Sequence, residues 1–467
     1  MKTINVKELS QEPSNEHSKE LPISAASSAV LYRTANDNYP CAVKAQGMYI
    51  TDATGKSYLD MSGGAAVSVI GHGNSHVISR MQQQISQLDF AHTAFFTNGP
   101  QEELAERLRA RFPEPGSKVY FTSGGSEAIE TALKLCWQYW QCLAKPQKKI
   151  IISRQHSYHG NTFGGLSVGG NEVRRKKSAA PLIDWPRIGP CYPFRFQQVK
   201  QSLADYGRSA ANELETAIIT NGADNVAAFI CEPVVGSSLG AVAAVPGYLQ
   251  RIREICDRYE VLLILDEVMC GSGRTGTYFS FEQDDVIPDV VTLAKGIAGG
   301  YQPLAATIIR SSMVDVFAVS GFAHGHTYIG HPLACAAGCA VMDVIEQNDL
   351  LTACKQQGEL MHRMLHDRFV EHPHVGEIRG RGLFCALEFV ADKASSKGFA
   401  ADCQLVEKIH TAIMDVGLIC YPGATLVDGD YIPHILLAPP LIVEEQHLQE
   451  CMNKLVEVLD RVFPVAD

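Results

Sequence analysis

Three short stretches carry side chains whose types could do chemistry at one centre. Gly124-Gly125-Ser126 precedes a strongly helix-forming run, Glu127 to Lys134. Glycines let backbone N–H groups approach an anion, and a helix N-terminus adds partial positive charge beside the serine hydroxyl. A phosphate would sit well there. A plain strand-to-helix turn, with Ser126 as N-cap and Glu127 favouring the dipole, explains the same residues. Asp266 closes the apolar run 261–265. A carboxylate held there needs a cation, because burying it unpaired is costly. Arg274 is one partner within reach, and a protonated ring nitrogen is the other. Lys295 follows the run 289–293. Most lysines in such places are solvated, but one in a partly apolar cleft has a depressed pKa and can form a Schiff base with a carbonyl.

The elements that must position these residues are readable between 118 and 293. KVYF (118–121), KIII (149–152), VAAFI (226–230), VLLIL (261–265) and DVVTL (289–293) are short continuous apolar runs. Each is followed by a polar or glycine-rich turn and then a helix-like segment. Runs apolar on both faces fit buried parallel strands. Their alternation with helices predicts a doubly wound α/β sheet. Ligands of such sheets sit beyond the carboxyl ends of the strands, which is where the anion cradle, the acid and the lysine all fall. Pyridoxal 5′-phosphate (PLP) needs those three things: a held phosphate, an acid at the ring nitrogen and an amine for its aldehyde.

Seven motifs then occur in order: FTSGGSEAIETALKL, SYHGNTFGGLSVGG, CEPVVG, LILDEVMCGSGRTG, PDVVTLAKGIAGGYQPLAA, HGHTYIGHPLACAAG and LAPPLIV. Together they resemble the class III (omega-type) aminotransferases of PLP fold type I, from about Val30 to Val458. The resemblance implies a large domain with a mostly parallel, seven-stranded-type sheet flanked by helices. It adds a smaller α+β domain built from both chain ends. Residues 1–28, rich in Ser, Glu, Lys, Gln and Asn with little aromatic content, read as a flexible arm, and small-domain segments are expected at 30–74 and 341–467 around a large domain at 75–340. Lys295 would be the Schiff-base lysine and proton shuttle, and Asp266 the partner of the pyridine nitrogen. Val268 would pack one ring face and Tyr158 stack on the other. Gly125 and Ser126 would hold the phosphate, and Glu232 would help position the ring-hydroxyl side. Thr327 would reach the phosphate of a neighbouring subunit, which makes a homodimer with shared sites the smallest complete unit and leaves tetramers open. His159 is expected to be supporting structure.

The expected reaction is ping-pong transamination from an amine or omega-amino donor to a keto acid, with pyruvate the expected acceptor. Substrate choice is where the pattern departs. Many relatives carry an arginine shortly before the Pro-Pro segment, whereas here Gly417-Leu418-Ile419-Cys420 is followed by Tyr421. A tyrosine lacks arginine's charged bidentate fork, so a plain amine donor or a different arginine is expected. Arg379 and Arg381 resemble a structural motif of the small domain. Phe95 and Phe96 fall in a segment that lines the substrate pocket in relatives, and Tyr421 joins them as a pocket candidate. A dialkylglycine decarboxylase-like or aminomutase-like reaction, or activity on alpha-amino acids, stays open.

Composition excludes other classes. The 467 residues hold 40 basic and 51 acidic side chains, a formal charge of −11, and pI is about 5.8. Nucleic-acid binders show a basic stripe and a high pI instead, and the densest basic cluster, Arg174-Arg175-Lys176-Lys177, is expected to be solvated. No apolar stretch reaches a membrane span, and no signal pattern opens the chain. The 14 cysteines include no C-x-x-C pair and sit mostly in apolar runs, which suits a reducing cytosol. His324, His326, His331, Cys335 and Cys339 match no common zinc spacing, so no metal is expected.

Overall fold

Residues 23–464, apart from 27, 35–37 and 401, are described by the computed structural model. Most of the arm expected at 1–28 therefore lies outside the described residues. The large sheet is built from β1 (Lys118–Thr122), β2 (Ile150–Arg154), β3 (Arg187–Ile188), β4 (Val226–Cys231), β5 (Leu262–Asp266), β6 (Val290–Leu293) and β7 (Ala305–Ile309). Their order across the sheet is β1-β7-β6-β5-β4-β2-β3. All five apolar runs read from the sequence are strands of it.

The centre of the sheet shows why those runs are unbroken. Leu263 and Leu265 of β5 face a core shared with Ile252 and Ile255 of helix Tyr248–Arg258. Leu262 and Ile264 face the opposite core, shared with Ile129 and Leu133 of helix α1 (Gly125–Cys142). Side chains alternate faces along a strand, so a helix layer on each side demands an apolar residue at every position. Trp140 of α1 is buried against the sheet and donates its indole N–H to the carbonyl of Ala227 at 2.9 Å. The aromatics of this helix are thus packing rather than a binding face.

Two strands were not anticipated. β3 has two residues, too few to leave a pattern. β7 runs antiparallel to both β6 and β1, so the sheet is mostly rather than wholly parallel. A strand buried on both faces looks the same in sequence whichever way it points.

Beyond the large sheet, Ser57–Asp60 pairs in parallel with Leu418–Ile419, matching Leu59 to Leu418. Residues from both ends of the described chain, Leu59 and Met61 with Leu418 and Leu455, share one apolar core. An antiparallel sheet of Val375–Arg381, Phe384–Phe389, Asp430–Leu437 and Tyr421–Val427 stands beside it. All 14 cysteines are free thiols, most of them buried. Among the described residues no helix is long and apolar enough to cross a membrane.

Candidate active site

At the carboxyl edge of the sheet the chain encloses a cavity of about 410 Å³. Lys295, Asp266, Tyr158, Glu232 and Val268 all line it, together with Gly125 and Ser126 at the start of α1. Seven of the eleven candidate residues, scattered over 171 positions from 125 to 295, therefore converge on one space.

Asp266 is the last residue of β5 and is only 4% exposed. Its Oδ1 accepts hydrogen bonds from the backbone N–H of Val268 at 3.1 Å and the hydroxyl of Thr292 at 3.2 Å. Its Oδ2 lies 2.8 Å from His159 Nδ1. Arg274 is not its partner. That guanidinium is buried elsewhere and donates to the carbonyls of Leu383 and Pro439. The carboxylate is thus fixed from three directions, one of them an imidazole at hydrogen-bonding distance. Burial opposes protonation of His159, but the Glu232 and Asp266 carboxylates outweigh it and hold the imidazole pKa above its usual value. His159 Nε2 is buried without a hydrogen-bond partner among the described residues, 3.9 Å from Glu232 Oε2.

Lys295 opens a 3-10 turn directly after β6 and has φ +51, the left-handed region that L-residues seldom occupy. Such strain persists where the surroundings over-determine it. The side chain is half-buried, and its open surface is the cavity itself. Crowding by the walls disfavours the ammonium and lowers the amine pKa to about 8, against the pull of Asp266, which raises it.

The anion cradle is built from backbone. Gly124 is the N-cap of α1 and makes no side-chain cap, so Ser126 does not cap its own helix as the plain-turn reading required. Its Oγ accepts from the N–H of Asn161 at 3.0 Å instead. The first N–H groups of a helix have no intrahelical acceptor, and here they border the cavity. Two glycines are sterically enforced. A Cβ on Gly125 would stand 2.9 Å from Val268 Cγ1, and one on Gly160, at φ +102, would stand 2.7 Å from Ser126 Oγ. Glu232 organises the facing wall. Its Oε1 accepts from the N–H of Tyr158 at 3.0 Å and its Oε2 from Arg154 at 3.2 Å.

Four candidates lie elsewhere in the single chain. Phe95 and Phe96 are 80% and 65% exposed. Thr327 is also exposed and lines a separate open cavity with His92 and Thr93. Tyr421 packs in the apolar cluster that holds Cys270 and Met269, behind the wall that Met269 gives the active-site cavity. Arg379 bonds Glu377 and Glu388, and Arg381 bonds Asp284 at 2.7 Å.

Sequence reading missed two contacts. The pairing of His159 with Asp266 spans 107 positions, and only its place beside Tyr158 hinted at it. The basic cluster is not uniformly solvated: Arg175 donates to the carbonyls of Leu166 and Ser167, and the Arg174 guanidinium lies 4.5 Å from the centre of the Tyr158 ring.

The chain belongs to the class-III aminotransferases, which residues 31–459 match. An uncharacterised aminotransferase of Schizosaccharomyces pombe is 38% identical over 93% of this chain and 94% of its own. A putrescine–pyruvate aminotransferase of Pseudomonas aeruginosa is 32% identical over 90% of each. Among solved structures, an omega transaminase of Pseudomonas jessenii in complex with PMP superposes with TM-score 0.84 at 33% identity, covering 91% of this chain and 93% of that one. An (S)-enantioselective omega-transaminase of Thermomicrobium roseum reaches 0.87 at 32% identity, covering 99% and 100%.

The protein is thus a PLP-dependent transaminase with the type I fold. Its cavity fits that cofactor. Uncapped N–H groups at the start of α1 suit a phosphate, the anchored Asp266 carboxylate suits a protonated ring nitrogen, and Lys295 offers an amine whose pKa burial lowers to about 8, so its neutral form is far easier to reach than that of an ordinary lysine.

Proposed function

We propose that this transaminase moves an amino group from an amine or omega-amino donor to a keto acid, pyruvate foremost, in two half-reactions at one cavity. The observation that carries this reading is the lining itself. Lysine, aspartate and helix N-terminus converge there, and Tyr421 stands where many relatives carry an arginine for the donor's carboxylate. The Pseudomonas aeruginosa relative, named for putrescine and pyruvate, supports it.

Bound PLP supplies a ring that withdraws the electron pair left when the donor carbon loses its proton. The chain's own residues do the rest. Lys295 Nζ would take that proton and deliver one to the cofactor carbon that bore the aldehyde, a task suited to an amine whose pKa is lowered to about 8. Asp266 holds the proton on the ring nitrogen, and His159 and Thr292 hold Asp266. Gly125 and Ser126 bind the phosphate at the helix N-terminus. Val268 and Tyr158 flank the ring, and Glu232 fixes the Tyr158 backbone.

The working unit is a homodimer. Thr327 of each chain reaches the neighbour's phosphate, and Phe95, Phe96 and Tyr421 shape the pocket for the substrate's apolar part. The exposure of Phe95 and Phe96 supports this, since bare aromatic surface is a common mark of an interface. The large domain spans 75–340, and 30–74 joins 341–467 in the smaller one, a division supported by the pairing of Leu59 with Leu418. Free thiols throughout suit the cytoplasm.

A panel of primary diamines, monoamines and alpha-amino acids, each against pyruvate and 2-oxoglutarate, tests the proposal. Turnover with amines and pyruvate is expected. Turnover confined to alpha-amino acids, or carbon dioxide release without an acceptor, would overturn it.

A further inference from the structure

A keto acid entering this cavity brings a carboxylate, and Lys295 is committed to the carbon chemistry. Some other cation must meet that charge. The arginines nearby are mostly engaged. Arg154 is bound by Glu232, Arg274 by main-chain carbonyls, and Arg379 by Glu377 and Glu388. Arg175 is tied to the carbonyls of Leu166 and Ser167.

Arg174 differs. Its guanidinium makes no hydrogen bond or ion pair to another side chain or carbonyl among the described residues. Its Cζ lies over the Tyr158 ring, 4.5 Å from the ring centre, and that ring is itself a wall of the cavity. Stacking on a ring engages the guanidinium's face and leaves its edge, where the N–H donors are, free for an anion. The backbone beneath is pinned twice. Asn171 Oδ1 accepts from the Arg174 N–H at 3.1 Å, and Arg175 ties the same short segment to residues 166–169. The side chain is therefore partly ordered before any ligand arrives, which lowers the cost of binding one.

We propose that Arg174 is the carboxylate-binding residue of this site, taking the keto acid's carboxylate in its fork and releasing it on the amino acid product. The inference deepens the proposed reaction and rests on it. Its charge is also felt at Lys295, where it favours the neutral amine, as a group close to the reacting atoms should.

The test uses the holoenzyme with one amine donor and two acceptors, pyruvate and uncharged propanal, and compares wild type with Arg174→Ala, Arg174→Gln and Arg174→Lys. Lys177→Ala is the control for charge removal nearby. A charge-assisted hydrogen bond implies a roughly 10- to 100-fold loss of kcat/KM for pyruvate in the Ala and Gln variants, with propanal held within about threefold and Lys regaining part of the loss. Titration calorimetry with propanoate, a carboxylate that cannot react, should show the dissociation constant rising by a similar factor. Equal losses on both acceptors, or unchanged propanoate binding in Arg174→Gln, overturn the assignment. Absence of propanoate binding to wild type does so too. If wild type used neither acceptor, the transamination reading with pyruvate would fall, while the propanoate titration would still decide Arg174.

Discussion

The floor of the cavity and the segments expected at its rim are built in opposite ways. On the floor, Asp266 is nearly inaccessible and receives bonds from the backbone of Val268, from β6 through Thr292 and from the His159 loop. In the segment expected at the rim, Phe95 and Phe96 are largely exposed, and the chain is held by short-range bonds such as Phe95 N–H to the His92 carbonyl at 3.0 Å. Thr327 is exposed as well. One chain therefore completes the electron-handling part of the site with its own sheet edge. The residues proposed to admit a substrate lie instead on surface that the single chain leaves exposed. Damage to the floor should abolish chemistry, whereas damage to the rim should redirect it.

Lys295→Ala should produce the largest effect. It removes both the covalent tether and the proton carrier, so turnover should fall by at least about a thousandfold. The visible absorbance of the tethered cofactor should vanish in the same preparation. Steady-state activity near wild type would refute the division between floor and rim at its root.

Asp266→Asn comes next, because it keeps the shape and removes the charge. Loss of a preorganised charge of this kind typically costs about 100- to 1000-fold in kcat. The same change should reach Lys295 in the cofactor-free protein. Burial lowers that amine to about 8 and Asp266 counters it, so Asp266→Asn should lower it further, read by the pH dependence of reductive labelling. The sign also fixes a stability trend. Between about pH 8 and the ordinary lysine value, the unfolded chain holds a proton that the folded chain has lost. Folding stability of the apoprotein, relative to Lys295→Met, should therefore rise with pH across that window. A flat difference would mean that the amine is not desolvated.

The floor was also the legible part in sequence, for a physical reason. Strands buried on both faces must be apolar throughout, so β1, β2, β4, β5 and β6 announced themselves, and the residues just after them marked the sheet's carboxyl edge. Convergence of Gly125, Asp266 and Lys295 followed from topology alone. Contacts made by the folded chain were not legible. His159 meets Asp266 across 107 positions, and Arg274, only eight residues from Asp266, turns away to Leu383 and Pro439. The direction of β7 left no trace, because burial does not depend on it. Arg174 was hidden in a charge run whose other members do point to solvent or to carbonyls. The exposure of Phe95 and Phe96 was not legible either, since exposed aromatics read in sequence like core.

Phe95→Ala and Phe96→Ala should give the smallest effects on the folded chain and the most selective ones on function. Each side chain is mostly exposed, so truncation removes little buried area, and chain stability should change by less than about 0.5 kcal/mol. If the rim closes only when two chains meet, the dimer's dissociation constant should rise. The preference among amines should also move toward bulkier donors, with kcat for the smallest donor kept within about threefold. Sedimentation velocity and a donor series measure the two effects separately. A large loss of kcat for every donor would place these phenylalanines with the floor, and an unaltered donor series with an unaltered dissociation constant would remove them from the site.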